Sequence, residues 1–182
     1  MGLNLPLTET PIRIGITGAS GLIGRSVRAT LNAMGHETFV FVRRSAKGQH
    51  EISWSPQAET LENGALDNLD AVLHLAGEPV FGRWTTDKKK RILESRAKGT
   101  RLLSEAIAQI DRPCPFISAS AIGYYGSQSS ETVDEASPRG EGFLAEVCEA
   151  WESAASAAKS AGQRVVHPRI GLVLSPQGGA LK

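Results

Sequence analysis

The sequence predicts an α/β protein, a doubly wound parallel sheet covered by helices on both faces. Three observations carry that prediction. Short apolar runs alternate with longer stretches of helical periodicity, the order that builds βαβ units. The short runs are apolar throughout rather than alternating, as strands buried on both faces are. The first run empties into GITGASGLIG, where Gly18, Gly21 and Gly24 recur at every third position before a helix begins.

The elements follow in order. Residues 12–17 (IRIGIT) form the first strand. Leu22 to Met34 places Leu22, Ile23, Val27, Leu31 and Met34 on one helical face, and Gly35 closes the helix. Thr38 to Val42 (TFVFV) is β-branched and aromatic, a second strand. A minor strand lies at Glu51 to Trp54, and a third clear one at Asp70 to Leu75 (DAVLHL). Lys88 to Ile110 is a long helix with Ile92, Leu102, Leu103, Ala106 and Ile110 as its apolar positions. Pro115 to Ala119 (PFISA) is a strand, Phe143 to Ala161 a helix rich in Ala and Glu, and Arg164 to Leu174 a last strand region. The polar stretch from Gly123 to Gly142 is long for a connection in a compact domain, which marks it as a candidate functional segment. Residues 1–11 read as a short extension and 12–182 as one domain. The chain stops on Gly178-Gly179-Ala180-Leu181-Lys182, a glycine turn and the start of a helix, and so reads as a fragment of a longer protein.

Composition excludes several classes of function. A net charge of +1 gives no general attraction to nucleic acid or to an acidic membrane. The run Lys88-Lys89-Lys90-Arg91 reads as a solvated helix face. Cys114 and Cys148 form no CxxC, and His36, His50, His74 and His167 are scattered, so neither a disulfide framework nor a metal site is expected. There is no apolar run of membrane-spanning length and no signal-peptide pattern. The expected compartment is the reducing cytoplasm.

The glycines point to a ligand. At a strand-to-helix turn, residues without Cβ permit positive φ and close approach of backbone to ligand. The helix that follows offers unpaired N–H groups and a positive dipole end, which suit a pyrophosphate. A turn that merely packs a helix on a sheet is the competing reading. The second strand then selects the nucleotide. An NAD site usually ends that strand with an acid for the ribose hydroxyl. Here it ends with Arg43-Arg44, whose guanidinium groups suit a 2′-phosphate. NADP is therefore preferred to NAD. The third strand ends His74-Leu75-Ala76-Gly77-Glu78, a small-residue turn over which a cofactor can pass; His74 reads as a core residue.

TGASGLIG, HLAGE, SRxxGT at Ser95 to Thr100, SASAIGYYG at Ser118 to Gly126, FLAEVCEAWE at Phe143 to Glu152 and RIGLVL at Arg169 to Leu174 occur in that order. Together they resemble the extended short-chain dehydrogenase/reductase superfamily, and within it the epimerase-like branch. Its members are often labelled nucleoside-diphosphate-sugar epimerases, and some carry a cell-division label. The resemblance implies a Rossmann-type domain with NADP across the carboxyl ends of the strands. It places Thr17, Gly18, Ser20, Gly21, Leu22 and Ile23 around the pyrophosphate, and Arg43 and Arg44 at the adenosine phosphate. Leu75, Ala76 and Gly77 line the adenine–ribose side. Arg96 stands where many relatives have the Asn of NxxGT, and Ser118 and Val173 lie near the nicotinamide. The resemblance also implies a carboxyl-terminal region that closes over substrate, absent here, and a homodimer through the helices at Lys88–Ile110 and Phe143–Ala161.

Catalysis is where the chain departs from the pattern. Relatives that move hydride use a YxxxK pair, the lysine tuning the tyrosine as acid or base. The two tyrosines here, Tyr124 and Tyr125, are followed four residues on by Gln128 and Ser129, and the expected place reads Phe143 to Val147. The substitutes on offer are Ser120 with Tyr124 or Tyr125. Two expectations follow: a reductase or epimerase acting on a small or sugar-derived substrate, or a dinucleotide-binding sensor without turnover, linked to cell division.

Overall fold

A computed structural model describes residues 10–127 and 132–179. Gln128 and Ser129, most of the amino-terminal extension and Ala180 to Lys182 lie outside the described residues. The elements are β1 (Arg13–Thr17), α1 (Leu22–Ala33), β2 (Glu37–Val42), β3 (Glu51–Ser55), β4 (Thr60–Leu61), β5 (Ala71–His74), α2 (Thr86–Ile107), β6 (Phe116–Ser118), β7 (Ser120–Ala121), α3 (Phe143–Ser153), α4 (Ser156–Ser160), β8 (Val165–Val166), β9 (Arg169–Ile170), β10 (Leu174–Ser175) and β11 (Gly178–Gly179). A 3₁₀ turn spans Ile122–Tyr125.

The main sheet has the order β4-β3-β2-β1-β5-β6-β8. Every pairing in it is parallel except β3 with β4. This is a Rossmann-like sheet, and the chain reverses its direction of winding between β1 and β5. In such sheets the crevice outside the carboxyl ends at that switch point is where ligands bind. Right-handed crossovers put α1 on one face and α2 on the other, because β1 to β2 and β5 to β6 run in opposite directions across the sheet.

Strand alternation divides β1 between the faces. Gly15 meets Leu69 and Phe41, part of the apolar cluster that α2 covers with Leu103 and Ile107. Ile14 and Ile16 point the other way, and both are buried. Leu69, Val72, Leu103, Ile107 and Phe116 have no exposed surface and form the centre of the cluster.

The structure corrects three boundaries. The long helix begins earlier than its apolar pattern, because Thr85 caps it by accepting the Lys88 N–H. The helix expected over 143–161 breaks between α3 and α4. There the Ala158 N–H leaves the helical ladder and donates to Ser104 of α2 at 2.9 Å, while Ala155 and Ala158 pack into the core. The strand region expected over 164–174 divides at Pro168, which has no N–H to continue a ladder. Its second half pairs with β7 in a separate two-stranded sheet.

Candidate functional site

The glycine turn joins β1 to α1 at the switch point, and its three glycines have different causes. Gly18 has φ +66°, and a Cβ there would stand 2.8–2.9 Å from the backbone of Leu75 and Ala76. A Cβ on Gly24 would overlap the Gly18 carbonyl and lie 2.8 Å from the Ala19 Cα. Packing explains both. Gly21 is different: its φ of −71° suits any residue, it is exposed, and a Cβ would meet only the Gly18 oxygen at 3.2 Å. Gly21 is also the N-cap of α1, with no side-chain cap and no acidic residue in the first turn. The N–H groups of Leu22 and Ile23 open the helix beside it, as first-turn donors without an intrahelical acceptor. Ser20 is exposed on the same turn.

Thr17 is committed elsewhere. It has no exposed surface. Its hydroxyl oxygen accepts the N–H groups of Leu75 and Ala76 at 3.0 and 3.1 Å and lies 2.7 Å from His74 Nδ1. Thr17 thus fastens β1 to the end of β5 and shapes the shelf formed by Leu75, Ala76 and Gly77, leaving no proton or lone pair for a phosphate. Gly77 faces Arg96, whose guanidinium carbon would lie 3.1 Å from a Cβ there. Arg96 donates from one nitrogen to the carbonyls of Glu78 and Ile92 and lies 4.9 Å over the Trp151 ring. Burial lowers its pKa, and these partners offset the cost of keeping a cation there.

At the end of β2 the two arginines separate. Arg44 is held by Glu51 in a two-pronged bond of 2.6 and 2.7 Å, and this bond holds the Glu51 carboxyl down to about 2. The expectation that both guanidinium groups face the cofactor is corrected here: Arg44 is already paired. Arg43 is exposed and makes no ion pair among the described residues. Both border a cavity of about 590 Å³ that also touches Ser45, Ser53, Leu61 and Glu62, a size within the range of small-molecule sites.

At the end of β6 the predicted catalytic residues do come together, but they are occupied by partners that the sequence reading did not weigh. Ser120 is buried and donates to Glu152 at 2.6 Å. Arg169 clamps the same carboxylate at 2.9 Å through Nε and Nη2. Its third nitrogen donates to the Tyr125 hydroxyl at 2.9 Å, and its guanidinium stacks 3.5 Å from the centre of the Tyr124 ring. Burial works to raise the Glu152 carboxyl, but the bonds from Arg169 and Ser120 outweigh it and hold the pKa below the ordinary value. The Arg169 pKa rises through the same bond. Glu152 and Arg169 both lie in motifs quoted above. The available signal was their charge: an arginine opening the apolar run RIGLVL requires a partner.

Ser118 is corrected as a cofactor ligand, because its side chain is fully buried in the sheet. Its carbonyl bonds His167 Nδ1 at 3.1 Å. Phe143, at the place where the resemblance leads one to expect the tyrosine of YxxxK, packs edge-on against Trp84 at 5.4 Å. Trp84 donates to the Val80 carbonyl, an ordinary packing role. Val173 is half-buried beside the hairpin of β10 and β11, whose glycines lie next to Leu22 at the start of α1. No helix among the described residues is long and apolar enough to cross a membrane, and no group of potential ligands there could hold a metal.

Residues 14–180 match the sequence profile of the NAD dependent epimerase/dehydratase family. An epimerase family protein of Mycobacterium bovis is 40% identical over 170 residues, which are 93% of this chain and 56% of that protein. The human epimerase family protein SDR39U1, solved with NADPH, superposes with a TM-score of 0.81 at 31% identity over 93% of this chain and 57% of the solved one. A nucleoside-diphosphate sugar epimerase from Corynebacterium glutamicum superposes with a TM-score of 0.83 at 39% identity, covering 94% of this chain and 36% of the other. The chain spans little more than half the length of the mycobacterial relative.

Proposed function

The chain belongs to the NAD-dependent epimerase/dehydratase family, and on that premise we propose that it binds NADP and serves a reductase or epimerase acting on a sugar-nucleotide or other small carbonyl substrate. The observation that carries the cofactor is the uncapped start of α1, which Gly21 leaves open at the switch point. A diphosphate fits those unpaired donors and the positive helix end. Gly18, Ser20, Gly21, Leu22 and Ile23 would hold it. Leu75, Ala76 and Gly77 would line the adenosine side, and Arg43 would take the 2′-phosphate. Arg96 would reach the cofactor phosphate or ribose, and Val173 would border the nicotinamide end. When bound, the nicotinamide supplies or accepts a hydride. The human relative solved with NADPH supports the phosphorylated cofactor, and the name of the Corynebacterium relative supports a sugar-nucleotide substrate.

Calorimetry of NADPH and NADH tests the cofactor. NADPH should bind at least about tenfold more tightly than NADH, and Arg43→Glu should remove the difference. Equal binding of the two would overturn the choice of NADP, and binding of neither would overturn the site.

For proton transfer the candidates are Ser120, Tyr124 and Tyr125. Because Arg169 donates to the Tyr125 oxygen, the phenol keeps its own proton to give. A second reading, dinucleotide binding without turnover, is favoured by the same cluster: Ser120 gives its proton to Glu152 and has none for a carbonyl. Consumption of NADPH with a panel of carbonyl substrates, lost in Tyr125→Phe, would decide for the first reading.

A further inference from the structure

Of the three tryptophans, Trp54 and Trp151 are buried, 5% and 6% exposed, whereas Trp84 is 39% exposed. Phe81, three residues earlier in the same connection between β5 and α2, is 66% exposed. Single exposed apolar side chains are ordinary. Trp84 does not stand singly: its ring meets that of Phe143, the first residue of α3, at 5.4 Å and 67°. The Nε1–H bond to the Val80 carbonyl at 2.7 Å holds the Trp84 ring in place. That bond and the edge contact fix the ring without covering it, so a stacking ligand finds it already ordered.

Two cations accompany the aromatic pair. The Lys89 ammonium lies 5.2 Å from the centre of the Phe143 ring. Arg83, next to Trp84 in the chain, is exposed. Neither enters an ion pair among the described residues. Their neighbours Lys88 and Arg91 differ, since both pair with Glu78. The acids nearby in the chain, Asp87 in the first turn of α2 and Glu146 in the first turn of α3, are joined to neither cation. An ordered apolar ring with two positive charges that have no carboxylate partner suits a molecule that is itself flat and negatively charged. The surface lies at the carboxyl end of the sheet, because it is built from the connection after β5 and the start of α3. A Cβ on Gly123, in the turn that carries Tyr124 and Tyr125, would stand 3.2 Å from the Cβ of Leu144, the residue after Phe143.

We propose that the Trp84–Phe143 pair, with Lys89 and Arg83, is the binding surface for a planar, anionic part of the substrate. A conjugated ring lies on Trp84, and a carboxylate or phosphate attached to it pairs with Lys89 and Arg83. Calling that molecule the substrate rests on the reductase or epimerase reading above; the binding itself does not. A nucleobase carrying a diphosphate and an aromatic carboxylic acid share this chemistry. Either would dock beside the turn of Tyr124 and Tyr125, the candidate proton donors. Phe143 then has a role of its own, supplying a ring edge to the surface where the resemblance leads one to expect a hydroxyl.

Tryptophan fluorescence on the full chain, without NADPH, tests the proposal. Acrylamide should quench mainly Trp84, the exposed tryptophan, and a ligand on the surface should shield it. A ligand held at the glycine turn alone should not. The probes are UDP, a ring with a diphosphate; phenylacetate, a ring with a carboxylate; uridine, the ring alone; and inorganic pyrophosphate, the anion alone. UDP or phenylacetate should shield Trp84, and whichever does so at lower concentration identifies the kind of anion the surface takes. Uridine and pyrophosphate should each need at least about tenfold more. Arg83→Glu combined with Lys89→Glu should weaken the shielding at least about tenfold and leave the fold intact, since both side chains are exposed. Should that variant fail to fold, the four probes on the wild-type chain decide. Arg43→Glu should leave the shielding unchanged. No shielding by either ring-bearing probe, equal shielding by uridine or pyrophosphate, or full shielding in the charge variant would overturn the proposal. Failure of NADPH to bind would overturn the cofactor reading and leave this one standing.

Discussion

The glycine turn after β1 and the Ser120 cluster after β6 lie at the same carboxyl end of one sheet and treat their polar groups in opposite ways. At the turn, the backbone donors of α1 have no cap, and the residue beside them has no side chain to cover them. At the cluster, a serine and an arginine both donate to one glutamate, and the arginine donates also to a tyrosine oxygen, in a set closed around the carboxylate. An open set of donors is ready for an anion. A closed set holds β7, β9 and α3 together, and a ligand must compete with it. The difference separates two properties that family resemblance joins: readiness to hold a dinucleotide and readiness to act on it.

The comparison breaks most visibly at the glycines. Gly24→Ala should cost about 3 kcal/mol or more, since its methyl meets backbone that cannot yield. Gly21→Ala should leave stability within about 1 kcal/mol, because its φ and its surroundings admit a methyl. The same methyl adds bulk at the N-cap of α1, where the dinucleotide is proposed to bind, so NADPH affinity should fall at least about tenfold. Thermal unfolding and calorimetry on the two variants check both halves. Equal loss of stability in the two would show that Gly21 also serves packing.

The closed set can be opened from its centre. Glu152→Gln leaves Arg169 half-buried without its counter-charge and should cost about 2–4 kcal/mol. The pH dependence has a definite sign. The folded pKa of Glu152 is lowered, so its stabilisation is present above the unfolded carboxylate value and is lost as pH falls through the folded one. Urea unfolding at pH 7 and at about pH 3 should show a smaller acid loss in Glu152→Gln than in the wild-type chain. An equal loss would place the acid sensitivity in other carboxylates.

The open half was more legible in the sequence than the closed half, for a physical reason. A strand, a glycine turn and a helix are neighbours in the chain, so Gly18, Gly21 and Gly24 announce their geometry locally. The closed half joins Ser120 to residues 32 and 49 positions away in the chain, Glu152 and Arg169. Nothing local marks that meeting. The same limit applies to Thr17 and Ser118, whose residue types suit ligand binding. Only the register of β1, β5 and β6 shows that both point into the sheet's covered face. Strand β4 has no sequence signature, because two residues carry no periodicity, and the break after α3 has none because its cause, Ser104, lies on another helix.

The smallest expected effect sharpens the comparison where it is least obvious, at the end of β2. Arg44 there belongs to the closed kind and Arg43 to the open kind, although they are adjacent and chemically identical. Glu51→Gln removes the acid that occupies Arg44 while leaving Arg43 as it was. The pair lies at the surface, with Arg44 exposed and Glu51 partly so, and stability should fall by no more than about 1 kcal/mol. If the 2′-phosphate lies within reach of both side chains, a second freed guanidinium should tighten NADPH about two- to threefold and steepen the loss of affinity with salt. NADH, lacking that phosphate, should not respond. Calorimetry at low and moderate ionic strength reads all of this. Unchanged NADPH affinity would mean that Glu51 serves only to pin the loop after β2, and that Arg43 alone carries the preference for the phosphorylated cofactor.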